Sequence, residues 1–169
     1  MLANMTTSHE TTAEAAELWR LVDRVEIADV QMRYATAVDS RDWELFRDCF
    51  TDEIEGDYSS VFGTPPARLR ADDFVAVIAP VMGALTATQH MITNLTVDFH
   101  DADHATVVAY VRAIHHNTAA DGGTEQTVYG YYTNAFVRTG KGWRISKVKL
   151  TSRIQTGNPG VFGALPAAG

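Results

Sequence analysis

From Thr88 to Ile154 the chain is almost continuously extended, and that half of the sequence limits the fold more than any other feature. Four segments, "TQHMITNLTVDF", "ATVVAYVRAIHH", "QTVYGYYTNAFVRT" and "GWRISKVKLTSRI", are rich in Val, Thr, Tyr and Ile, the residues that suit a pleated, half-buried surface. The links "HDAD" and "TGKG" read as hairpin turns and "NTAADGGTE" as a longer one. The upstream half has a different period. Leu18, Leu21, Val22, Val25, Ala28, Met32 and Ala35 recur at helical spacing between Ala13 and Val38. Ile27, Val30, Tyr34 and Val38 widen that face, so the helix is expected to be buried on more than one side.

"DSRDW" interrupts the helix, and Asp42 is placed to cap a second one, "WELFRDCF", with Trp43, Phe46 and Phe50 inward. Gly56, Gly63 and the Pro65–Pro66 pair mark turns around a short strand or hairpin. "ADDFVAVIAPVMGAL" reads as a third helix, capped near Asp72 and bent or ended around Pro80. Helices first and hairpin-linked strands after them give an α+β domain. The helices must cover one face of the sheet, and if the strands curve, that cover leaves a pocket. Residues 1–12 read as a polar, frayed tail, 13–152 as one domain, and 153–169 as a Gly/Pro-rich tail. That last segment carries Val161, Phe162 and Leu165, so it is either a loose end or a lid. Apolar residues on both parities of "ATVVAYVRAI" predict that both sheet faces are buried, and hence a homo-oligomer.

Charge and cysteine content narrow the function. A net charge of −7 with no basic run argues against a nucleic-acid surface. Cys49 is the only cysteine, which excludes an internal disulfide and any C-x-x-C motif, and it reads as a buried thiol. No basic-then-apolar leader and no apolar run of about 20 residues is present, so a cytoplasmic protein without membrane contact is expected.

Six histidines are available for chemistry: His9 in the polar tail, His100 and His104 at a turn, and His90, His115 and His116 in strands. Alternation puts His90 on one face with Ile92 and Asn94, and Met91, Thr93, Leu95 and Val97 on the other. His115 and His116 diverge, so at most one joins His90. The one H-x-x-x-H pair, His100 and His104, flanks a turn, no H-x-H spacing exists, and no metal site is expected. No G-x-S-x-G elbow is present either. What remains is proton transfer by a histidine whose other ring nitrogen is held by a carboxylate, and Asp39 ends the long helix where such a partner could stand. Spacing alone leaves two alternatives open: a hydrogen-bonded structural histidine and an ordinary helix-terminal aspartate.

Taken together, "YATAVDSRDWELFRDCF", "GDYSS", "TQHMITN", "RAIHH" and "YTNAFVRTGKGWRISKVKL" resemble the SnoaL-like branch of the nuclear-transport-factor-2-like superfamily, over about Leu18 to Leu150. Their order and spacing are most similar to the scytalone dehydratase and hexachlorocyclohexane dehydrochlorinase group. The resemblance implies an α+β cone, with a curved mixed or antiparallel sheet wrapped around the N-terminal helices and a pocket inside. It places the catalytic dyad at Asp39 and His90, a second pocket histidine at His115, a pocket tyrosine at Tyr58 and a pocket asparagine at Asn134. Three positions depart from the pattern. Val38 stands where the dehydratase has a second tyrosine, and Tyr34 where the dehydrochlorinase has a lysine. Lys147 replaces a sheet arginine, keeping the charge and losing the planar fork. The resemblance implies a cofactor-free lyase that takes a proton from a small apolar or aromatic molecule, with Tyr34, Asn134 and Lys147 as substrate contacts. An isomerase, a polyketide-cyclase-type catalyst and a non-catalytic ligand-binding or assembly domain share the fold. Dimers and trimers both occur in it.

Overall fold

A computed structural model describes the backbone of residues 3–163 and the side chains of residues 14–163. The expected N-terminal tail falls largely outside the described side chains, and Leu165 lies outside the described residues altogether. The helices are α1 (Ala3–Ser40), α2 (Trp43–Asp48), α3 (Ser59–Phe62) and α4 (Ala71–Gly83). The strands are β1 (Phe50–Asp57), β2 (Ala67–Arg70), β3 (Ala87–Phe99), β4 (His104–His116), β5 (Glu125–Thr139) and β6 (Gly142–Gly157), followed by a 3₁₀ turn, Pro159–Phe162. They form one mixed α+β sheet in the order β2-β1-β6-β5-β4-β3, curled but not closed. Only the β1–β6 pairing is parallel. Among the described residues no helix is long and apolar enough to cross a membrane.

Strict alternation in β4 defines the two faces. Ala105, Val107, Ala109, Val111, Ala113 and His115 are buried on the concave side, and the intervening residues point outward. Val128, Tyr132 and Phe136 of β5 and Trp143, Ile145, Val148 and Leu150 of β6 continue the same inner surface. Curvature comes from irregular register. The β5–β6 ladder slips at Tyr129/Gly130 and again at Ala135/Phe136. At Gly130 a side chain is impossible, because a Cβ would lie 2.1 Å from the Thr151 carbonyl oxygen.

Strand β3 carries its own slip, between Thr93 and Thr96, with Asn94 in the left-handed region at φ 51°. This corrects the expected face assignment. Unbroken alternation puts Leu95 and Val97 opposite His90, but the extra residue inverts the parity. Thr88, His90 and Ile92 face inward before the bulge, and Leu95, Val97 and Phe99 face inward after it.

The long helix is corrected too. Its buried face is Asp23, Ile27, Val30, Gln31, Tyr34, Ala37 and Val38, while Leu18, Leu21, Val22, Val25 and Met32 are exposed. Two polar residues hide the true face from a periodicity count, which scores them as outward. Asp23 accepts from the Trp143 indole at 3.1 Å and from Arg138 at 2.6 Å. Gln31 accepts from the Asn134 amide at 2.8 Å. The side-chain oxygens of both thereby find donors inside the sheet, while the buried Gln31 amide nitrogen has no partner among the described residues.

The shorter helices follow their local signals with adjustments. Asp42 caps α2 by accepting from the Leu45 amide at 2.9 Å. Phe46 and Phe50 are buried, whereas Trp43 is half-buried against Phe46. Helix α4 runs through Pro80 to Gly83, and Arg70, not Asp72, occupies its N-cap. Asp72 sits in the first turn, paired with Arg47 and Arg70. Cys49 is fully buried, and burial pushes its thiol up to about 12, so it packs as a small hydrophobe.

Candidate active site

Asp39 owes its position to the way α1 stops. The Arg41 amide donates to the Val38 carbonyl at 3.2 Å and the Asp42 amide to the Ala37 carbonyl at 2.9 Å, the paired bonds of a helix terminus closed by a left-handed residue. That residue is Arg41, at φ 62°. A non-glycine there costs roughly 1 kcal/mol or more. The chain turns sharply enough to leave Asp39 on the last helical turn, facing the first residues of β3.

There Asp39 meets His90 twice. One carboxylate oxygen accepts from the His90 backbone N–H at 2.7 Å, and the other bonds the ring Nδ1 at 2.7 Å. The Thr88 hydroxyl donates to that second oxygen at 2.9 Å. Burial raises the Asp39 carboxyl, but the bonds and charge of His90, with the Thr88 hydroxyl, outweigh it and hold the group below its usual range. An ionised carboxylate only accepts, so Nδ1 carries a proton and a neutral His90 keeps its Nε2 lone pair free. Among the described residues Nε2 has no hydrogen-bond partner. The side chains are 8% and 24% exposed for His90 and Asp39, buried enough to be oriented and open enough to reach a ligand.

His90 borders a cavity of about 50 Å³. The ring of His115 lies edge to face with it, centroids 5.6 Å apart. Burial lowers His115 to about 3, with the neighbouring His90 adding to the effect, so this imidazole stays neutral. Its buried Nδ1 lacks a partner among the described residues. Tyr34, Tyr58 and Tyr132 also line the cavity. The Tyr34 and Tyr58 hydroxyls are 2.8 Å apart. Burial raises all three phenols, Tyr132 to about 12 and the other two further, so each remains a neutral donor. Val38, Val61, Phe62, Ile78, Met82 and Leu150 supply apolar wall, and no Lys or Arg lines the cavity.

Of the residues singled out from the sequence, Asp39 and His90 are bonded, and His90, His115, Tyr58 and Tyr34 share the cavity. Asn134 and Lys147 are not brought there. Asn134 is fully buried away from the cavity, donating to Gln31 and accepting from the Lys149 amide at 3.2 Å. Lys147 is paired with Glu55 across the β1–β6 ladder at 2.6 Å, outside the cavity lining. Thr88, Arg41 and Tyr132 are the residues a reading of single motifs misses, whereas Phe162 belongs to the C-terminal segment expected to be a loose end or a lid. Thr88 is two places before His90 and therefore on its face, and Tyr132 is two before Asn134 on the inner parity of β5. Arg41 carries no local signal of this kind.

The comparisons with known proteins agree with this architecture. An uncharacterized protein of Mycobacterium tuberculosis is 29% identical over 136 residues, 79% of this chain and 87% of its own. The Kfla4162 protein of Kribbella flavida is 39% identical, with a TM-score of 0.81 over 86% of this chain and 99% of that one. A putative scytalone dehydratase from Novosphingobium aromaticivorans shares the fold at 23% identity and a TM-score of 0.71, over 81% of this chain and 88% of that one. Hexachlorocyclohexane dehydrochlorinase LinA-type3 from Novosphingobium barchaimii shares it at 22% and 0.69, over 89% and 99%. The model of the SnoaL-like domain matches residues 19–149. From α1 to β6, this chain belongs to the SnoaL-like family.

Proposed function

We propose that the protein is a cofactor-free lyase that removes water from a small hydroxylated ketone, with His90 as the base and Asp39 as its partner. The observation that carries this reading is the pair of hydrogen bonds that Asp39 accepts from the ring and the backbone of His90 at the edge of a phenol-lined cavity. His90 Nε2 takes the proton from the carbon beside the carbonyl. The electron pair moves into an enolate, whose oxygen accepts from the Tyr34 and Tyr58 hydroxyls. The enolate then re-forms the carbonyl and expels the β-hydroxyl, which leaves as water with the proton returned by His90. His115, neutral at working pH, orients that hydroxyl. With no Lys or Arg among the described residues that line the cavity, neutral phenols are the hydrogen-bond donors at hand, which favours loss of a hydroxyl from a carbonyl-activated substrate over loss of a halide.

A cavity of about 50 Å³ holds a few waters and not a bicyclic molecule. Phe162 packs on the His115 ring at 4.8 Å and on Phe62 at 5.4 Å, so the turn Pro159–Phe162 serves as the lid that swings out on binding. Self-association belongs to the same proposal. The probe is 3-hydroxy-1-tetralone, whose dehydration and tautomerisation give fluorescent 1-naphthol. The expected result is protein-dependent naphthol formation that falls by about 10²–10⁴-fold in His90→Ala. A rate unchanged by that substitution, or none above buffer, overturns the reading.

A further inference from the structure

Arg41 is unusual twice over: it holds a left-handed backbone without being glycine, and its guanidinium is bonded to three different segments. Nη1 donates to the carbonyls of Val38 at 3.1 Å and Asp39 at 3.0 Å and to the Thr88 hydroxyl oxygen at 2.9 Å. Nη2 donates to the Leu85 carbonyl at 3.3 Å. One side chain therefore ties the end of α1, the approach to β3 and β3 itself. It does not line the cavity and has no route to a substrate.

The contact with Thr88 has a chemical direction. A threonine hydroxyl has one proton and rotates to suit its neighbours. With Arg41 donating to the oxygen, the proton is left to point at Asp39, the bond seen at 2.9 Å. Asp39 is then fixed by three donors: Thr88, the His90 ring and the His90 amide. Its carboxylate plane cannot swing without breaking at least one of them.

We infer that Arg41 and Thr88 are positioning residues: acting in series, they fix the Asp39 carboxylate so that His90 carries its proton on Nδ1 and presents Nε2 to the cavity. The inference rests on the proton-abstraction reading for its purpose but makes a claim about ring protonation that stands apart from turnover. If Arg41 were only a helix stop, glycine would replace it, because glycine adopts φ 62° without penalty.

The test uses the full chain with ¹⁵N-labelled histidine and long-range ¹H–¹⁵N spectra, which distinguish the protonated ring nitrogen. In the wild-type protein the His90 signal is expected to be the single Nδ1–H tautomer. Arg41→Gly and Thr88→Val are expected to fold and to show both tautomers, and Thr88→Ser to restore one. With 3-hydroxy-1-tetralone the first two variants lose about tenfold or more in kcat with little change in KM, as expected for a displaced base. A single unchanged tautomer in folded Arg41→Gly and Thr88→Val overturns the inference. Should Arg41→Gly fail to fold, Thr88→Val alone decides it. If the tautomers behave as stated but no naphthol forms, the positioning role stands and the lyase reading falls.

Discussion

His115 is the residue whose chemistry is most exposed to pH. Its folded value is lowered to about 3 from 6.5 by burial. Between those values the unfolded chain binds a proton that the folded chain refuses, so stability is complete above the unfolded value and is lost as pH falls toward 3. The slope approaches about 1.4 kcal/mol per pH unit. Asp39 acts lower down: its depressed carboxyl contributes stability above 3.8 that is lost as pH falls through the folded value, so it does not intrude at mildly acidic pH. Urea unfolding at about pH 7 and about pH 5 therefore reads His115, and the wild-type protein is expected to lose roughly 2 kcal/mol between them. His115→Gln should flatten that difference. An equal loss in the variant would assign the acid sensitivity elsewhere. Strand parity leaves His115 and His116 as alternatives beside His90 and the family resemblance selects His115, yet neither expresses that Phe162 and the sheet close over it and make it a neutral group.

At the scale of elements, the order of helices and strands was legible and two of their faces were not. Composition marks all four long strands because β-branched and aromatic residues accumulate there. It does not mark where a strand gains a residue. In β3 a single left-handed Asn94 inverts the inner parity, and the only trace in the sequence is an asparagine, which tolerates that conformation. The bulge therefore does two things: it keeps His90 inward near the start of the strand and also turns Val97 and Phe99 into the core farther along. Replacing Asn94 tests this. Asn94→Gly is expected to leave stability nearly unchanged, while Asn94→Val, β-branched at φ 51°, should cost about 1–2 kcal/mol in urea unfolding. Equal stability of the two would mean that the strand straightens and the bulge is not required by the fold.

For the whole molecule, the dyad was reachable from sequence only through resemblance, because Asp39 and His90 are 51 residues apart and meet through the tertiary fold. Asn134 and Lys147 came from the same resemblance; Asn134 does face inward with Tyr132 but is engaged by Gln31 and the Lys149 amide, and Lys147 is paired with Glu55. Self-association was expected from the sheet, but the densest run of exposed apolar residues among the described residues lies on α1. Leu18, Trp19, Leu21, Val22 and Val25 on α1 are 47–67% exposed and close together in sequence, whereas the sheet exposes Ile154 at 59%, Tyr110 at 46% and Met91 at 37% on three separate strands. Leu18, Leu21, Val25, Ala28 and Met32 follow one another at alternating three- and four-residue steps, the seam that lets one helix pack on a copy of itself. A stripe of this size left in water favours association, and a second copy carries the same stripe. Light scattering behind size exclusion is expected to give a multiple of 18.5 kDa. Leu21→Glu with Val25→Glu should reduce the mass to a single chain without unfolding it, because neither side chain is buried in the monomer. Tyr110→Glu should leave the assembly intact. The reverse pattern would return the interface to the sheet, and a single-chain mass for the unsubstituted protein would mean that the exposed helix is simply tolerated.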